Sequence, residues 1–262
     1  MNNYKNKTIL ITGASSGIGE AFANTLDSLG AKLILTARSE DKLNKMAKKM
    51  NNAIVISGDL SDQKFPKELY KQVKKNNLNV DILINNAGFG FSGLFLDSSI
   101  ENYKDMLNVN VYSLMELSHL FLKDMVERKS GGIINISSLA SFQPIPYFSI
   151  YAATKSFVTS FTSSLYEEYR DKGVRVLGVC PGYTRTNFNI RAKMQEKSVP
   201  GYTMTSQAVV DEALKAYLRN DYLIVNGFIN RFARFLISLL PAKLSLKLSK
   251  NVIKKGMDNK NW

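Results

Sequence analysis

Short apolar runs alternate with longer amphipathic stretches along most of this chain. The runs are rich in Ile, Leu and Val, which is typical of strands buried on both faces of a parallel sheet. The stretches between them repeat apolar residues at helical spacing. This alternation predicts an α/β fold, a doubly wound parallel sheet with helices on both faces.

The same pattern gives bounds for the elements. Strands are predicted at residues 8–11, 32–36, 53–57, 81–84, 132–138, 173–180 and 222–225. Helices are predicted at residues 17–29, 62–75, 100–128, 151–171 and 206–219. We expect Gly30 to end the first helix and Ser206 to cap the last, with Asp59 or Ser61 as alternative caps of the helix at 62–75.

Length and composition predict one large domain. The chain has 262 residues, of which 45% are hydrophobic and 22% charged, so it can form a well-buried core. We expect this domain to span residues 1–226. It should include a mobile substrate loop at 187–205, because that segment lacks periodicity and is broken at Pro200 and Gly201. Residues 227–262 are expected to form a helical extension of the same domain.

Candidate chemistry centres on Tyr151 and Lys155, which lie four residues apart in a predicted helix. That spacing places both side chains on one face of the helix. A phenol has an unperturbed pKa of about 10, and a fixed cation lowers it, so Lys155 is expected to make Tyr151 a usable proton donor. Ser138 ends a predicted strand, and ligands of an open parallel sheet collect at such carboxyl ends.

Two further motifs indicate a dinucleotide site. The sequence TGASSGIG, at residues 12–19, directly follows the first predicted strand. Its glycines let the backbone approach a pyrophosphate, whose charge is stabilised at the amino end of the next helix. The sequence NNAG, at residues 85–88, follows the fourth predicted strand.

Taken together, these residues resemble the short-chain dehydrogenase/reductase family, whose pattern is a TGxxxGxG turn, an NNAG motif, a serine and a YxxxK pair in this order. The resemblance covers residues 5–225, and residues 85–188 look most like a bacterial branch called DltE-like. It implies a Rossmann fold. It also implies an oxidoreductase that interconverts a carbonyl and an alcohol with a nicotinamide cofactor.

The resemblance assigns roles to particular residues. Tyr151 would exchange the proton of the substrate oxygen and Ser138 would hydrogen-bond that oxygen. Lys155 would lower the Tyr151 pKa and hold the nicotinamide ribose, while Asn110, preferred to Asn108, would maintain a proton relay. The residues that would bind the cofactor are Gly13, Ser15, Ser16, Gly17, Ile18, Gly19, Arg38, Asp59, Leu60, Asn86, Ala87, Gly88, Tyr151, Lys155, Pro181, Gly182, Thr184 and Thr186.

The residue after the second predicted strand decides between two cofactors. An acidic side chain there would bond the ribose hydroxyls of NAD, whereas an arginine accommodates the 2′-phosphate of NADP. After that strand this chain has Ala37 and then Arg38, so NADP(H) is predicted in preference to NAD(H). Ser16 stands where some family members carry a second basic residue.

The loops beside these motifs predict an apolar pocket, and therefore a hydrophobic carbonyl or alcohol substrate. Its expected residues are Phe89, Phe91, Phe142, Gln143, Pro144, Ile145, Pro146, Tyr147, Phe148, Tyr183 and Phe188. By resemblance, the chain is expected to form a homodimer or homotetramer. A dinucleotide sensor without catalytic activity is the alternative, and it is less favoured because Ser138, Tyr151 and Lys155 are all present.

A net charge of +13 and a pI near 9.6 raise the question of nucleic-acid binding. The lysines are scattered and no basic-aromatic recognition motif occurs, so no nucleic-acid partner is predicted. Cys180 is the only cysteine and His119 the only histidine, which argues against a disulfide and against a metal site. The polar amino terminus has no secretory pattern, and we expect a cytoplasmic protein.

Residues 227–262 hold eight Lys or Arg and one Asp, a charge of +7 out of the total of +13. Helical periodicity places Phe228, Phe232, Phe235, Leu236, Leu239 and Leu240 on one stripe until Pro241. Beyond it, Lys243, Lys247, Lys250 and Lys254 share one face, and Leu244, Leu248 and Val252 share another. Two interpretations remain open: the stripe packs on the domain or a second subunit, or it contacts the inner face of an anionic membrane peripherally.

Overall fold

In the computed structural model, which describes residues 3–192 and 203–256, the strands form one parallel sheet. The strands are β1 (Thr8–Thr12), β2 (Lys32–Thr36), β3 (Ala53–Val55), β4 (Ile82–Asn85), β5 (Gly131–Ile136), β6 (Val174–Cys180) and β7 (Leu223–Val225). Their order across the sheet is β3-β2-β1-β4-β5-β6-β7, and every neighbouring pair is parallel. The predicted doubly wound Rossmann sheet is confirmed.

Helices connect the strands and continue beyond the last one. They are α1 (Gly17–Ser28), α2 (Glu40–Ala47), α3 (Phe65–Lys75), α4 (Ile100–Leu107), α5 (Ser113–Glu127), α6 (Ser149–Tyr169), α7 (Phe188–Arg191), α8 (Ser206–Arg219), α9 (Phe228–Ser238) and α10 (Ala242–Gly256). A π-helical turn, Asn108–Tyr112, separates α4 from α5. Within the described ranges, no helix is both long and apolar enough to cross a bilayer.

The core lies on both faces of the sheet because successive strand residues point to opposite sides. On β1, Ile9 and Ile11 pack with α1 and α8, whereas Leu10 packs with α3, α5 and α6. A third apolar cluster lies apart from these two and contains Tyr103, Phe148, Tyr151 and Ile253 among others. With both faces covered, the carboxyl edge of the sheet is left for a binding site.

The winding of the chain reverses between β1 and β4. From β1 the chain proceeds through β2 to β3 at one edge, and then returns to place β4 on the other side of β1. Such a switch point leaves a crevice at the carboxyl ends of the two central strands. The turn at 12–19 and the segment at 85–88 therefore meet there, although they are far apart in sequence.

Two predicted helix caps are wrong. The helix predicted at 62–75 begins at Phe65, and the Asp59 carboxylate accepts the Ser61 N–H in a local turn instead of capping it. Thr205, not Ser206, caps α8, because its extended backbone lets Oγ1 accept the Ala208 N–H at 3.1 Å. Ser206 is already the first helical residue.

The segment predicted as a substrate loop, 187–205, is only partly described. Its first part contains the short helix α7, and Met204 pairs with Thr184 in an isolated parallel bridge. Residues 193–202 lie outside the described ranges. The pattern also missed α2, in which Leu43 alone is buried, so that its apolar stripe is too thin to detect.

Replacing a fully buried core residue should cost far more than replacing an exposed one. Leu26 on α1 has no exposed surface, so Leu26→Ala should lower the free energy of unfolding by about 2–5 kcal/mol through lost burial and a cavity. Leu96 is 89% exposed, and Leu96→Ala should change it by less than about 0.5 kcal/mol. Denaturant unfolding of both variants checks this, and equal losses would contradict the assigned core.

Candidate active site

Thr12 joins the two motifs that meet at the switch point. Its hydroxyl oxygen accepts the backbone N–H groups of Asn86 and Ala87, both at 3.0 Å. In return, the Asn86 amide donates to the carbonyl oxygens of Thr12 at 2.9 Å and Gly13 at 3.2 Å. These bonds hold the glycine turn and the segment after β4 as one rigid unit.

The packing of this unit requires glycine at two positions. Gly13 has a φ of +65°, and a Cβ on it would lie 2.9 Å from the Ala87 Cα. A Cβ on Gly19 would overlap the Gly13 carbonyl and the Asn86 amide. Gly19 thus lies beneath the turn and does not itself line the cavity above it.

The amino end of α1 fits a dinucleotide pyrophosphate. Ser16 is the N-cap residue, and its side chain makes no capping hydrogen bond to the helix. The first backbone N–H groups of α1 therefore need an acceptor, and phosphate oxygens supply one. Gly17, with a φ of +61°, lies against the Thr186 side chain, so the turn and the strand-end segment after β6 face each other across this site.

A cavity of about 660 Å³ opens along the carboxyl edge of the sheet. The predicted cofactor residues that line it are Gly13, Ser15, Ser16, Gly17, Ile18, Arg38, Asp59, Leu60, Asn86, Ala87, Gly88, Tyr151, Lys155, Pro181, Gly182, Thr184 and Thr186. Ser138 lines it as well, whereas Gly19 and Asn110 do not. One cavity thus joins the predicted dinucleotide residues to the predicted catalytic residues.

Arg38 and Asp59 lie at one end of this cavity. The guanidinium Nη1 is 3.8 Å from the Asp59 carboxylate, and the Arg38 side chain is 63% exposed. A long, exposed ion pair of this kind contributes little to stability. Most of the five donors of the guanidinium are therefore available to an anionic ligand.

Tyr151, Lys155 and Ser138 lie together in the cavity. The Tyr151 ring is buried between Phe148 and Phe188, with centroid distances of 4.4 and 5.2 Å. The Lys155 ammonium lies 5.7 Å from the centroid of that ring and donates to the Ile136 carbonyl oxygen at 2.8 Å. The expected one-face arrangement of the tyrosine and the lysine is thus present.

Burial dominates the electrostatics of this cluster. It raises the pKa of Tyr151 to about 12, and a hydrogen bond from the Ser138 hydroxyl works in the opposite direction. Burial also lowers the pKa of Lys155 to about 8. The Tyr151 pKa is therefore raised in this structure and not lowered as expected, because loss of hydration penalises the phenolate more than its neighbours favour it.

Asn110 lies behind the cluster, fully buried in the π-helical turn. Its amide nitrogen donates to the Phe89 carbonyl at 2.9 Å and to the Thr154 hydroxyl at 3.1 Å, and its oxygen accepts the Phe89 N–H. A Cβ on Gly88 would lie 3.1 Å from the Asn110 oxygen and 3.3 Å from the Lys155 nitrogen, which places the two side chains near each other.

Asn108, the competing candidate, is oriented elsewhere. Its amide donates to the Ser61 carbonyl at 3.0 Å and accepts from Gln63, on the side of the loop after β3. Asn110, and not Asn108, therefore lies near Lys155, and its role in a relay stays a prediction.

The predicted apolar pocket is only partly correct. Phe89, Gln143, Ile145, Phe148, Tyr183 and Phe188 line the cavity. Phe91, Phe142, Pro144, Pro146 and Tyr147 do not. Phe91 packs edge-on against Tyr103, and Phe142 lies under the Arg234 guanidinium at 4.1 Å.

Sequence reasoning missed the two apolar residues that the tail contributes to the cavity, Ile237 on α9 and Ile253 on α10. Neither belongs to a family motif. The sequence gives only one indication of their role. Ile237 lies outside the apolar stripe of its helix, and Ile253 lies outside the lysine and leucine faces of its helix, so each can belong to a separate inward face. The tail therefore contributes to the wall of the pocket.

Replacing the buried cation should change the pH dependence of stability. The pKa of Lys155 is about 8 in the folded chain and 10.5 for an ordinary lysine. Between these two pH values the unfolded state binds more protons than the folded state, so stability rises with pH across that window. The unfolding free energy of wild type minus that of Lys155→Met should increase by about 2 kcal/mol between about pH 7.5 and 9.5. Denaturant unfolding at several pH values measures it, and a flat difference would contradict the buried charge.

Comparison with known proteins points to one family. The short chain dehydrogenase family model matches residues 7–197. The chain is 34% identical to the very-long-chain 3-oxoacyl-CoA reductase of Homo sapiens over 253 residues, 94% of this chain and 79% of that protein. It is 32% identical to an uncharacterized oxidoreductase of Staphylococcus epidermidis over 227 residues, 86% of this chain and 97% of that one.

A solved structure shares the fold. The short-chain dehydrogenase from Sphingobium yanoikuyae in complex with NADPH has a TM-score of 0.80 and 29% identity, covering 90% of this chain and 96% of that one. The DltE-like branch stays a prediction. Since the family match spans most of the chain and a solved member shares the fold, this protein belongs to the short-chain dehydrogenase family and is an NAD(P)-dependent oxidoreductase of carbonyl and alcohol groups.

Proposed function

We propose that this enzyme interconverts an apolar carbonyl compound and its alcohol with NADP(H), using Tyr151 as general acid and base. The observation that carries the proposal is one cavity that holds both the dinucleotide turn and a buried Tyr151 bonded to Ser138. NADPH would supply the hydride for reduction. The protein supplies the proton, the orientation of the substrate and the exclusion of water.

Tyr151 is suited to act as the acid in reduction. With a pKa of about 12, its phenol stays protonated at neutral pH and can donate to the carbonyl oxygen of a substrate. Ser138 would donate a hydrogen bond to the same oxygen. In the oxidative direction the phenolate would take the proton back.

Lys155 would stabilise the charge that forms when Tyr151 gives up its proton. A pKa of about 8 leaves the ammonium mostly charged at neutral pH, and a cation in a buried site acts on nearby charge with little screening. We also propose that Lys155 binds the nicotinamide ribose, and that Asn110 supports a proton relay behind Lys155. The contacts of Asn110 with Phe89 and Thr154 fit that role.

The preference for NADP(H) rests on Arg38. Its exposed guanidinium lines the cavity at the end of β2, where it can bind a 2′-phosphate with charge-assisted hydrogen bonds. The family relative from Sphingobium yanoikuyae was solved with NADPH, which supports the same choice.

The substrate class follows from the other end of the cavity. There Ile145, Phe148 and Phe188 line the cavity together with Ile237 and Ile253 from the tail, so we propose a hydrophobic carbonyl substrate. The human relative is named for very-long-chain 3-oxoacyl-CoA, which makes 3-oxoacyl thioesters of increasing chain length the first compounds to assay. A dinucleotide sensor would bind NADPH without oxidising it in any of these assays.

We propose further that the enzyme is a homodimer or homotetramer in the cytoplasm, in peripheral contact with the inner membrane face through residues 227–262. Met115 on α5 and Phe157 on α6 are each more than a third exposed, which supports assembly through these two helices. An apolar substrate partitions into membranes, which supports the peripheral location.

Tyr151→Phe should lower kcat by about 10²- to 10⁴-fold, because it removes the proton donor and keeps the buried ring. NADPH binding, measured by fluorescence titration, should stay within a few-fold of wild type. Tyr222→Phe is the matched control, since Tyr222 is 49% exposed and lies outside the cavity, and its kcat should not change. Full activity in Tyr151→Phe would refute the assignment.

Arg38→Ala should weaken NADPH binding by about 10- to 100-fold, the usual value of charge-assisted hydrogen bonds to a phosphate. NADH binding should be unchanged, because NADH lacks the 2′-phosphate. Lys45→Ala on the exposed side of α2 removes the same charge nearby and should affect neither cofactor. Equal losses of affinity for NADPH and NADH would show that Arg38 does not bind the 2′-phosphate.

A further inference from the structure

Helix α9 turns its apolar side to solvent. The outer stripe, which we define as Phe228, Ile229, Phe232, Phe235, Leu236 and Leu239, has relative exposures between 46% and 75%. Leu240, which the sequence pattern placed on this stripe, is only partly exposed, and Ile229 belongs to it instead. An amphipathic helix of a globular domain normally packs such a stripe on the core. The interpretation that it packs on its own domain is therefore wrong.

The opposite side of α9 is polar and attached to the domain. Asn230 is buried, donates to the Asn226 carbonyl at 2.7 Å and would collide with a Cβ on Gly182. Arg231 donates to the Val225 carbonyl at 3.3 Å and lies 3.7 Å from the Glu212 carboxylate. Rotating the outer stripe inward would break these bonds, so the outward orientation is fixed by the domain itself.

Helix α10 is attached to residues next to the one that α9 contacts. Ser245 donates to the Gln143 side chain at 2.6 Å, and Ser249 donates to the Pro144 carbonyl at 3.3 Å. The inner side of α9 meets the same segment through Arg234 and Phe142. Because both helices rest on residues 142–144, their outer sides both turn away from that segment.

The outer side of α10 is basic. The lysine row, which we define as Lys243, Lys247 and Lys250, is exposed, and Leu244 and Leu248 lie beside it at 44% and 47% exposure. The sequence contains no Asp or Glu between Tyr222 and Met257. This surface therefore combines an uncovered apolar stripe with positive charge alone.

Charge decides what covers this surface. In a two-fold dimer the same patch occurs on both subunits, so a second copy would bring lysine row against lysine row with no acidic partner. An anionic lipid surface offers the opposite charge to the lysines and an apolar layer to the stripe.

We propose that the outer stripe and the lysine row form a docking surface for anionic phospholipid membranes, with α9 lying in the plane of the headgroups. A stripe from Phe228 to Leu239 is about 17 Å long, since a helix rises about 1.5 Å per residue. Ile237, on the inner side of α9, lines the cavity, so a single helix separates the bilayer from the pocket. That last step rests on the proposed function: apolar substrates dissolved in the bilayer are close to the site that reduces them.

Vesicle cosedimentation of the full chain tests the proposal, using phosphatidylcholine vesicles with and without phosphatidylglycerol. Wild type should pellet with the anionic vesicles and at least about tenfold less with the neutral ones. Phe232→Ser with Phe235→Ser should weaken anionic binding by about a hundredfold, since two largely exposed phenyl rings no longer enter the lipid. Lys247→Gln with Lys250→Gln should weaken it by about tenfold.

The matched control is Lys45→Gln with Lys48→Gln, which removes the same charge from exposed positions on α2 and at its C-cap and should bind vesicles like wild type. Every variant should keep the wild-type melting temperature and turn over a water-soluble ketone at the wild-type rate. Negligible pelleting of wild type, or equal pelleting of the Phe232/Phe235 variant, would overturn the proposal. So would a dimer in gel filtration that only this variant dissociates, because a second copy would then cover the stripe.

The two proposals fail separately. If no ketone is turned over but vesicles are bound as expected, the proposed reaction is wrong and the docking surface stands. If the ketone is reduced but vesicles are not bound, the docking surface is wrong and the reaction stands.

Discussion

The parallel pairing of β1 with β4 is the contact on which the rest of the site depends. Ile9, Leu10 and Ile11 pair in register with Ile82, Leu83 and Ile84, so the residues that follow each strand emerge side by side. Thr12 then bonds the segment after β4, and the glycine turn has room only because no Cβ intervenes. A shift of register by one residue would turn the buried side chains of β1 to the wrong face and separate the two halves of the proposed cofactor site.

Behind that pair, a buried polar ladder joins the sheet to α6. The Asn85 amide donates to the Asn135 side chain at 2.9 Å, and the Asn135 amide donates to the Thr162 hydroxyl at 2.9 Å. Buried amides are costly without such partners, so these bonds favour one position of α6 over the sheet. Since α6 carries Tyr151 and Lys155, the ladder also helps to set where the phenol and the ammonium lie relative to Ser138.

The same burial that aligns these groups also alters their acidity. Loss of hydration raises the pKa of Tyr151 and lowers that of Lys155, which brings both groups toward their neutral forms. A protonated phenol is the form that the proposed role of Tyr151 as general acid requires. The pKa of Lys155 lies close to neutral pH, so the ammonium is charged there, but its burial lowers the stability of the fold.

The sequence by itself determined the succession of strands and helices along the chain, the glycine turn, the position of Ser138 and the pairing of Tyr151 with Lys155. These features depend on local spacing. Apolar residues repeat every two residues in a half-buried strand and every three to four in a helix, a glycine stands where a Cβ does not fit, and side chains four residues apart share one face of a helix. Local spacing also indicated both tail helices and the break at Pro241. None of this required knowledge of what packs against what.

Only the tertiary structure decided the pKa directions, the cavity residues Ile237 and Ile253, and the orientation of α9. Each depends on contacts between segments distant in sequence, such as Ser245 with Gln143 or Arg231 with Glu212. A hydrophobic pattern states that a helix has an apolar side, but not which side the rest of the molecule binds. In α9 the polar side makes hydrogen bonds with the domain, and the apolar side therefore faces solvent.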